Sequence, residues 1–238
     1  MLFYTPQENL SVPSFQIYAA WAFFVIAIGA LAFLLARHRH QLKLERSELL
    51  EDCLPLFKDV QQKQEGVHYP RVQAQVTLAG RQCQIDLWAM ADTLQTRRLP
   101  PLWLFVDIRC VLAINGVMDV LVRPTGVEVF SPSRDLAYRH ELLGHWPQAS
   151  ILKSSFPEIE KLLQHLDLPL HALLADPYTK CLTLRPDGMR YVVQIAQASQ
   201  AHYMVLRNSH FGPLQVPAAF LEAKLNTLGQ IIKILESA

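Results

Sequence analysis

The run Phe15–Ala36, FQIYAAWAFFVIAIGALAFLLA, carries no charged residue and is followed at once by Arg37-His38-Arg39-His40. An α-helix rises about 1.5 Å per residue, so a hydrocarbon core of about 30 Å takes roughly 20 apolar residues. This run has 22 (positions 15 to 36 inclusive). In lipid every backbone polar group must be satisfied within the segment, which leaves the helix as the state open to a lone span. Length and apolar character on all faces argue against a buried helix of a soluble domain. Tyr18 and Trp21 lie near one end, where amphipathic rings favour the membrane interface.

The charges around the run set its direction. A cleaved signal peptide opens with a positive segment. Here Glu8 is the one charge in residues 1–14, and Arg37, Arg39, Lys43 and Arg46 come after the span, against Glu45. The positive-inside rule then places a short tail, 1–14, outside the cell membrane and everything after Arg37 in the cytoplasm. No second apolar run of spanning length follows, so a single pass is expected, with the lipid bilayer as the first partner. His38 and His40 have no further ligands close by and read as headgroup neighbours.

Residues 37–238 number 202 (238 − 36), enough for one large or two small domains. A net charge of +1 gives no global attraction to nucleic acid. Arg97, Arg98 and Arg123 are too few for the basic stripe with interleaved aromatics that nucleic acid requires. The four cysteines, Cys53, Cys83, Cys110 and Cys181, contain no CxxC pair. A cytoplasmic location predicts reduced thiols, whereas the opposite topology would admit two disulfides. Cys83 alternates with Ile85 and Leu87 and reads as a small buried apolar residue.

Residues 37–66 read as an amphipathic helical stalk bent near Pro55. Leu42, Leu49 and Leu56 recur every seven residues, with Cys53 and Val60 on a second seam. Arg46 and Pro55 break the ladder, so the stalk is expected to fold onto its own domain. Homodimerisation through the stalk or the span, where Ala19, Ala22 and the small residues of 27–30 allow close packing, stays open.

The soluble domain, 67–238, reads as α+β. Val72, Ala74, Val76 and Leu78 alternate with polar residues, Ala79-Gly80 turns the chain, and Cys83, Ile85 and Leu87 resume the pattern. This is an antiparallel hairpin with one buried face. Residues 103–114 and 117–122 read as further strands around Asn115-Gly116. VRPTGVEVF (122–130) and LRPDGMRYV (184–192) share a pattern that reads as a hairpin turn. Each is followed by an amphipathic helix opening at a proline, Pro157 with Ile159, Leu162, Leu163 and Leu166, and Pro217 with Leu221, Leu225, Leu228, Ile232 and Leu235. Two copies of a ββ(β)α unit are therefore expected, about 117–170 and 178–238, with helices on one face of an antiparallel sheet. AHYMVLR (201–207) is the third strand of the second copy; its counterpart lies near 149–153.

Chemistry is harder to find. No GxSxG, P-loop, HExxH or GxGxxG occurs. His140, Glu141 and His145 resemble part of a metal set, but their spacing does not converge, and His145-Trp146-Pro147 reads as a packed turn. Asp107 and Arg109 share one strand face and either pair across the sheet or meet water. Tyr203, Arg207, His210 and Phe211 do not make a convincing anion site. No catalytic, cofactor-binding or metal-ligating set is assigned. The linker 130–150 has little periodicity and is the first place to look for a partner surface.

These readings point to a non-enzymatic membrane protein whose cytoplasmic domain is a protein-interaction module. The alternative is a membrane-tethered sensor or enzyme with a small-molecule pocket between the repeated units. Orientation is directly testable. Ser11→Cys is expected to react with an impermeant maleimide on intact cells, and Ser237→Cys only after permeabilisation; labelling of position 237 alone would overturn it.

Overall fold

The structure, a computed structural model, describes residues 14–93, 99–126, 128–200 and 209–237. The chain divides into two units, the second beginning at Lys43. In the first lies most of helix α1 (Ser14–Ser47), and from Tyr18 to Ala36 its side chains are exposed on every side. It is long and apolar enough to cross a membrane, as the sequence leads one to expect.

In the second unit α1 ends at Ser47 and tightens into a 3-10 segment, Glu48–Leu56. The stalk expected over 37–66 is thus not helical throughout, and residues 58–63 form a strand. Pro55 lacks the N–H that would extend a helix, and Phe57 is already extended. Leu49, Leu50 and Cys53 are buried in the domain's own core rather than presented to a second stalk. Val216 closes this corner, donating its N–H to the Leu49 carbonyl and accepting from the Cys53 thiol.

Nine strands follow: β1 (Lys58–Lys63), β2 (Arg71–Leu78), β3 (Arg81–Ala91), β4 (Pro101–Arg109), β5 (Met118–Val122), β6 (Tyr138–His140), β7 (Ser150–Ser154), β8 (Thr179–Arg185) and β9 (Gly188–Gln197). Helix α2 (Glu160–Leu174) lies between β7 and β8, and α3 (Ala218–Ser237) comes after β9. The strands make one sheet in the order β1-β2-β3-β4-β9-β8-β5-β7-β6, antiparallel throughout. Alternation along each strand divides its side chains between two faces. On one face Val72, Ile85, Val106, Val120 and Leu182 share a core with α2, α3 and the 3-10 segment. The apolar stripes expected on the two helices supply this core; Ile159, Leu163 and Leu166 and Leu221, Leu225, Leu228, Ile232 and Leu235 are buried.

The two RPxG segments take different structures. The second is the β8–β9 hairpin, with Arg185 opposite Gly188. The first leaves β5, whose neighbours are β7 and β8, and residues 128–130 are not strand. The hairpin expected at both places therefore forms at one. Ser150–Ser154, the weak counterpart strand, is β7, whereas 201–207 lies outside the described residues. A duplication of the whole unit is not established by these elements.

Gly188 has φ +149°, and a Cβ there would stand 2.1 Å from the Ile108 carbonyl oxygen on β4. A side chain would thus meet both backbone strain and the neighbouring strand. Gly188→Ala is expected to lower the stability of the full chain in detergent by at least about 2 kcal/mol, read from its urea unfolding midpoint.

Candidate functional site

The second face of the sheet carries an unbroken row of polar side chains across all nine strands. In register from one edge to the other they are Gln61, Gln73, Asp86, Asp107, Arg190, Thr183, Asp119, Lys153 and Arg139. The ends of the row are exposed, whereas Asp86, Thr183 and Asp119 are buried.

Buried charge is tolerated where it is paired and hydrogen-bonded. Arg190 grips Asp107 with two bonds, Nε to Oδ1 at 2.6 Å and Nη2 to Oδ2 at 2.8 Å. Arg71 grips Asp86 in the same way, with Nε 2.8 Å from Oδ1. Burial raises the Asp86 pKa, but hydrogen bonds from Arg71 and Gln73 outweigh it and hold the carboxyl below its ordinary value. Asp107 therefore pairs across the sheet, and Arg109, on the same strand face, is exposed.

Asp119 is different. It is fully buried and receives three hydroxyls, Ser131 and Ser133 on Oδ2 and Thr183 on Oδ1, each at 2.6 Å. Among the described residues no cation forms a salt bridge with it, and burial raises its pKa despite those bonds. Ser131 and Ser133 belong to the linker 130–150, which is packed rather than loose. Phe130, Ser133, Leu136 and Trp146 are buried, a 3-10 turn spans Pro132–Arg134, and β6 follows. The first-choice partner surface of the sequence reading is thus a lid over β5 and β8.

Beside the polar row runs an apolar one, Trp88, Phe105, Val192, Cys181, Leu121 and Ile151, again directly opposite from strand to strand. Trp88 and Phe105 stack with centroids 3.7 Å apart, and Phe130 from the linker caps Phe105 and Trp103. Near β1–β3, among the described residues, no element lies over this face. It opens there into a groove of about 600 Å³ lined by Gln61, Lys63, Tyr69, Arg71, Trp88 and Met90.

A smaller cavity of about 240 Å³ is lined by Trp103, Arg123, Thr125, Thr179, Lys180 and Gln194, among others. Lys180 is buried at its margin, 2.8 Å from Glu128 Oε1 and from the Arg123 carbonyl oxygen. Trp103 Nε1 and Glu128 Oε2 are buried without a hydrogen-bond partner. Lys180 and Glu128 carry no signal in the sequence, because the loop after β5 brings Glu128 to β8 only in the folded chain.

The histidines do not converge. His140 bonds Ser154 at 2.7 Å, whereas His145 bonds Asp167 at 2.8 Å. Trp146 is buried and donates to the same Asp167 oxygen, so the HWP segment is the packed turn it reads as. No metal-holding group of three ligands occurs among the described residues. Arg97, Arg98, Tyr203 and Arg207 lie outside them.

No protein-family model and no curated protein matches the chain. Among solved structures it is similar to the crystal structure of the mycobacterial trehalose monomycolate transport factor A, TtfA, at 12% identity and a TM-score of 0.38, with 76% of each chain covered. A likeness of that size says nothing of what this chain binds.

Asp119 gives the second face a pH signature. A carboxyl with a raised folded pKa favours the fold most when protonated, and that contribution is lost as pH rises from about 4 through the folded value. Asp119→Asn is expected to flatten the pH dependence of the unfolding midpoint and to be at least as stable as the wild type at pH 8. Asp119→Ala, which strands three hydroxyls, is expected to cost about 1–3 kcal/mol at either end.

Proposed function

We propose that this is a single-pass membrane protein, N-terminus out, whose cytoplasmic α+β domain binds another protein through the β1–β4 half of its second face. The observation that carries the reading is the open groove beside Trp88. It sets half-buried Trp88, Met90 and Tyr69 among Gln61, Lys63 and Arg71. Aromatic and Met side chains inside a polar rim are the composition of protein interfaces. The charges deeper in the row already have partners within the chain, so they hold the platform in shape rather than poised for chemistry. The apolar helix keeps that platform at the bilayer, which raises its local concentration against membrane-bound partners.

The cavity at Trp103 favours a second reading, a small-molecule site. Its walls come from both units of the expected repeat, Arg123 and Thr125 from the first and Thr179, Lys180 and Gln194 from the second. An indole N–H without a partner is a donor for a ligand.

Photo-crosslinking residues at positions 61 and 73, in the groove, and at 165 and 233, on exposed helix surfaces, separate these readings. With the full chain at native expression, one protein adduct is expected from 61 and 73 and none from 165 and 233. Equal adducts from all four positions would sink the docking face. No adduct, together with a small molecule retained in native mass spectra, would favour the cavity.

A further inference from the structure

Cys83 and Cys110, far apart in sequence and not flagged by any motif, meet across two strands. The β3–β4 ladder ends with Gln84 opposite Arg109, and Cys83 and Cys110 are the next residues along each chain. Directly opposed residues in an antiparallel pair have Cα atoms about 4.5–5.5 Å apart, inside the roughly 4.4–6.8 Å that a disulfide spans. Both are free thiols, and Cys83 Sγ donates to the Arg81 carbonyl oxygen at 3.8 Å. Cys83 is buried, whereas Cys110 is half-buried and open to a reagent. Arg81 stands over the pair, bonded to the Val111 carbonyl and ion-paired with Glu236 near the end of α3.

We infer that Cys83 and Cys110 form a reversible dithiol–disulfide site, oxidised by low-molecular-mass disulfides of the glutathione type. The half-buried Cys110 sulfur attacks the small disulfide, RSSR, as its proton passes to the Cys83 thiolate; the S–S bond of RSSR breaks, a mixed disulfide forms on Cys110, and RS⁻ leaves. Cys83 gives that proton to the departing RS⁻, which leaves as RSH. The Cys83 thiolate then attacks the Cys110 sulfur, the bond from Cys110 to SR breaks, and the second RS⁻ takes a proton from water. The net change is protein dithiol plus RSSR to protein disulfide plus two RSH, with two electrons passing to the small disulfide.

The neighbouring Cys110 lowers the Cys83 pKa to about 7 against the opposing effect of burial, which suits Cys83 to the resolving role; Cys83 and burial push the Cys110 thiol up, so Cys110 attacks only as it gives its proton to Cys83. The other two thiols are inert by contrast. Cys53 is buried and raised to about 11 by desolvation and by Asp52, and fully buried Cys181 is pushed up by desolvation. Neither has a second cysteine opposite it in the sheet; the neighbours of Cys181 are Leu121 and Val192.

The experiment uses the full chain in mild detergent, equilibrated in buffers of graded reduced-to-oxidised glutathione ratio, acid-quenched, alkylated and digested with trypsin. Cys83 and Cys110 fall on different peptides, beginning at Gln82 and Cys110. The expected result is loss of alkylation at these two sites together, at one ratio, with a cross-linked peptide pair two hydrogens lighter than the sum of its parts. Cys53 and Cys181 stay reduced under the same conditions. In Cys83→Ser the expected product is a lasting glutathione adduct on Cys110. Persistent alkylation of both thiols at the most oxidising ratio, or a stable adduct on Cys110 in the wild type, would overturn the assignment.

Discussion

The Arg190–Asp107 pair lies on the seam that joins the β1–β4 half of the sheet to the β5–β9 half. Cutting between β4 and β9 would separate β1–β4 from β5–β9, because the strand order is linear. The seam joins residues 83 positions apart, so its closure is opposed by loop entropy. A bidentate Arg–carboxylate contact fixes its register geometrically: sliding β9 by one residue would put Arg190 on the helix face. Removing either partner would leave the other charge without compensation in a half-buried row.

The same face shows two answers to the cost of burying a carboxylate. At Asp86 and Asp107 the answer is an arginine, and at Asp86 the carboxyl is held below its ordinary pKa. At Asp119 it is three hydroxyls, with burial favouring the protonated form. The difference follows coverage. Asp86 and Asp107 lie on the side of the sheet that opens toward water, where an arginine can keep its head partly solvated. Asp119 lies under the linker, whose Ser131 and Ser133 reach down to it. Polar contacts thus hold the linker in place and leave the β1–β3 end open as the groove.

Position along the rows separates the remaining features. The polar row runs through the middle of the sheet, the aromatic row beside it leads toward the groove and the Trp103 cavity, and the dithiol lies at the opposite end of β3 and β4, beside Arg81 and α3. The proposed docking and redox sites are therefore on the same two strands but not on the same surface.

Much of this was legible from residues alone. The lipid-length run at 15–36, the β2–β3 hairpin, the strands expected over 103–114 and 117–122 and found at 101–109 and 118–122, and the buried stripes of α2 and α3 follow from apolar length and from periods of 2 and 3.6, which are properties of the local chain. The stalk folds onto its own domain as its broken heptads suggest, but its helix stops short of 66, because the spacing of Leu42, Leu49 and Leu56 does not show where the chain leaves the helix to join the sheet. The linker has no periodicity of its own because its anchors, Phe130, Ser131 and Ser133, are held by strands distant in sequence. The two RPxG segments look alike because the motif encodes a local turn, while strand partners decide whether a hairpin results. The same reason hid every candidate site. Asp107 with Arg190 is fixed by inter-strand register, Cys83 with Cys110 by the end of the β3–β4 ladder, and Lys180 with Glu128 by a loop returning to β8; all depend on a register settled by burial of one whole face of the sheet, a condition no short stretch of sequence contains.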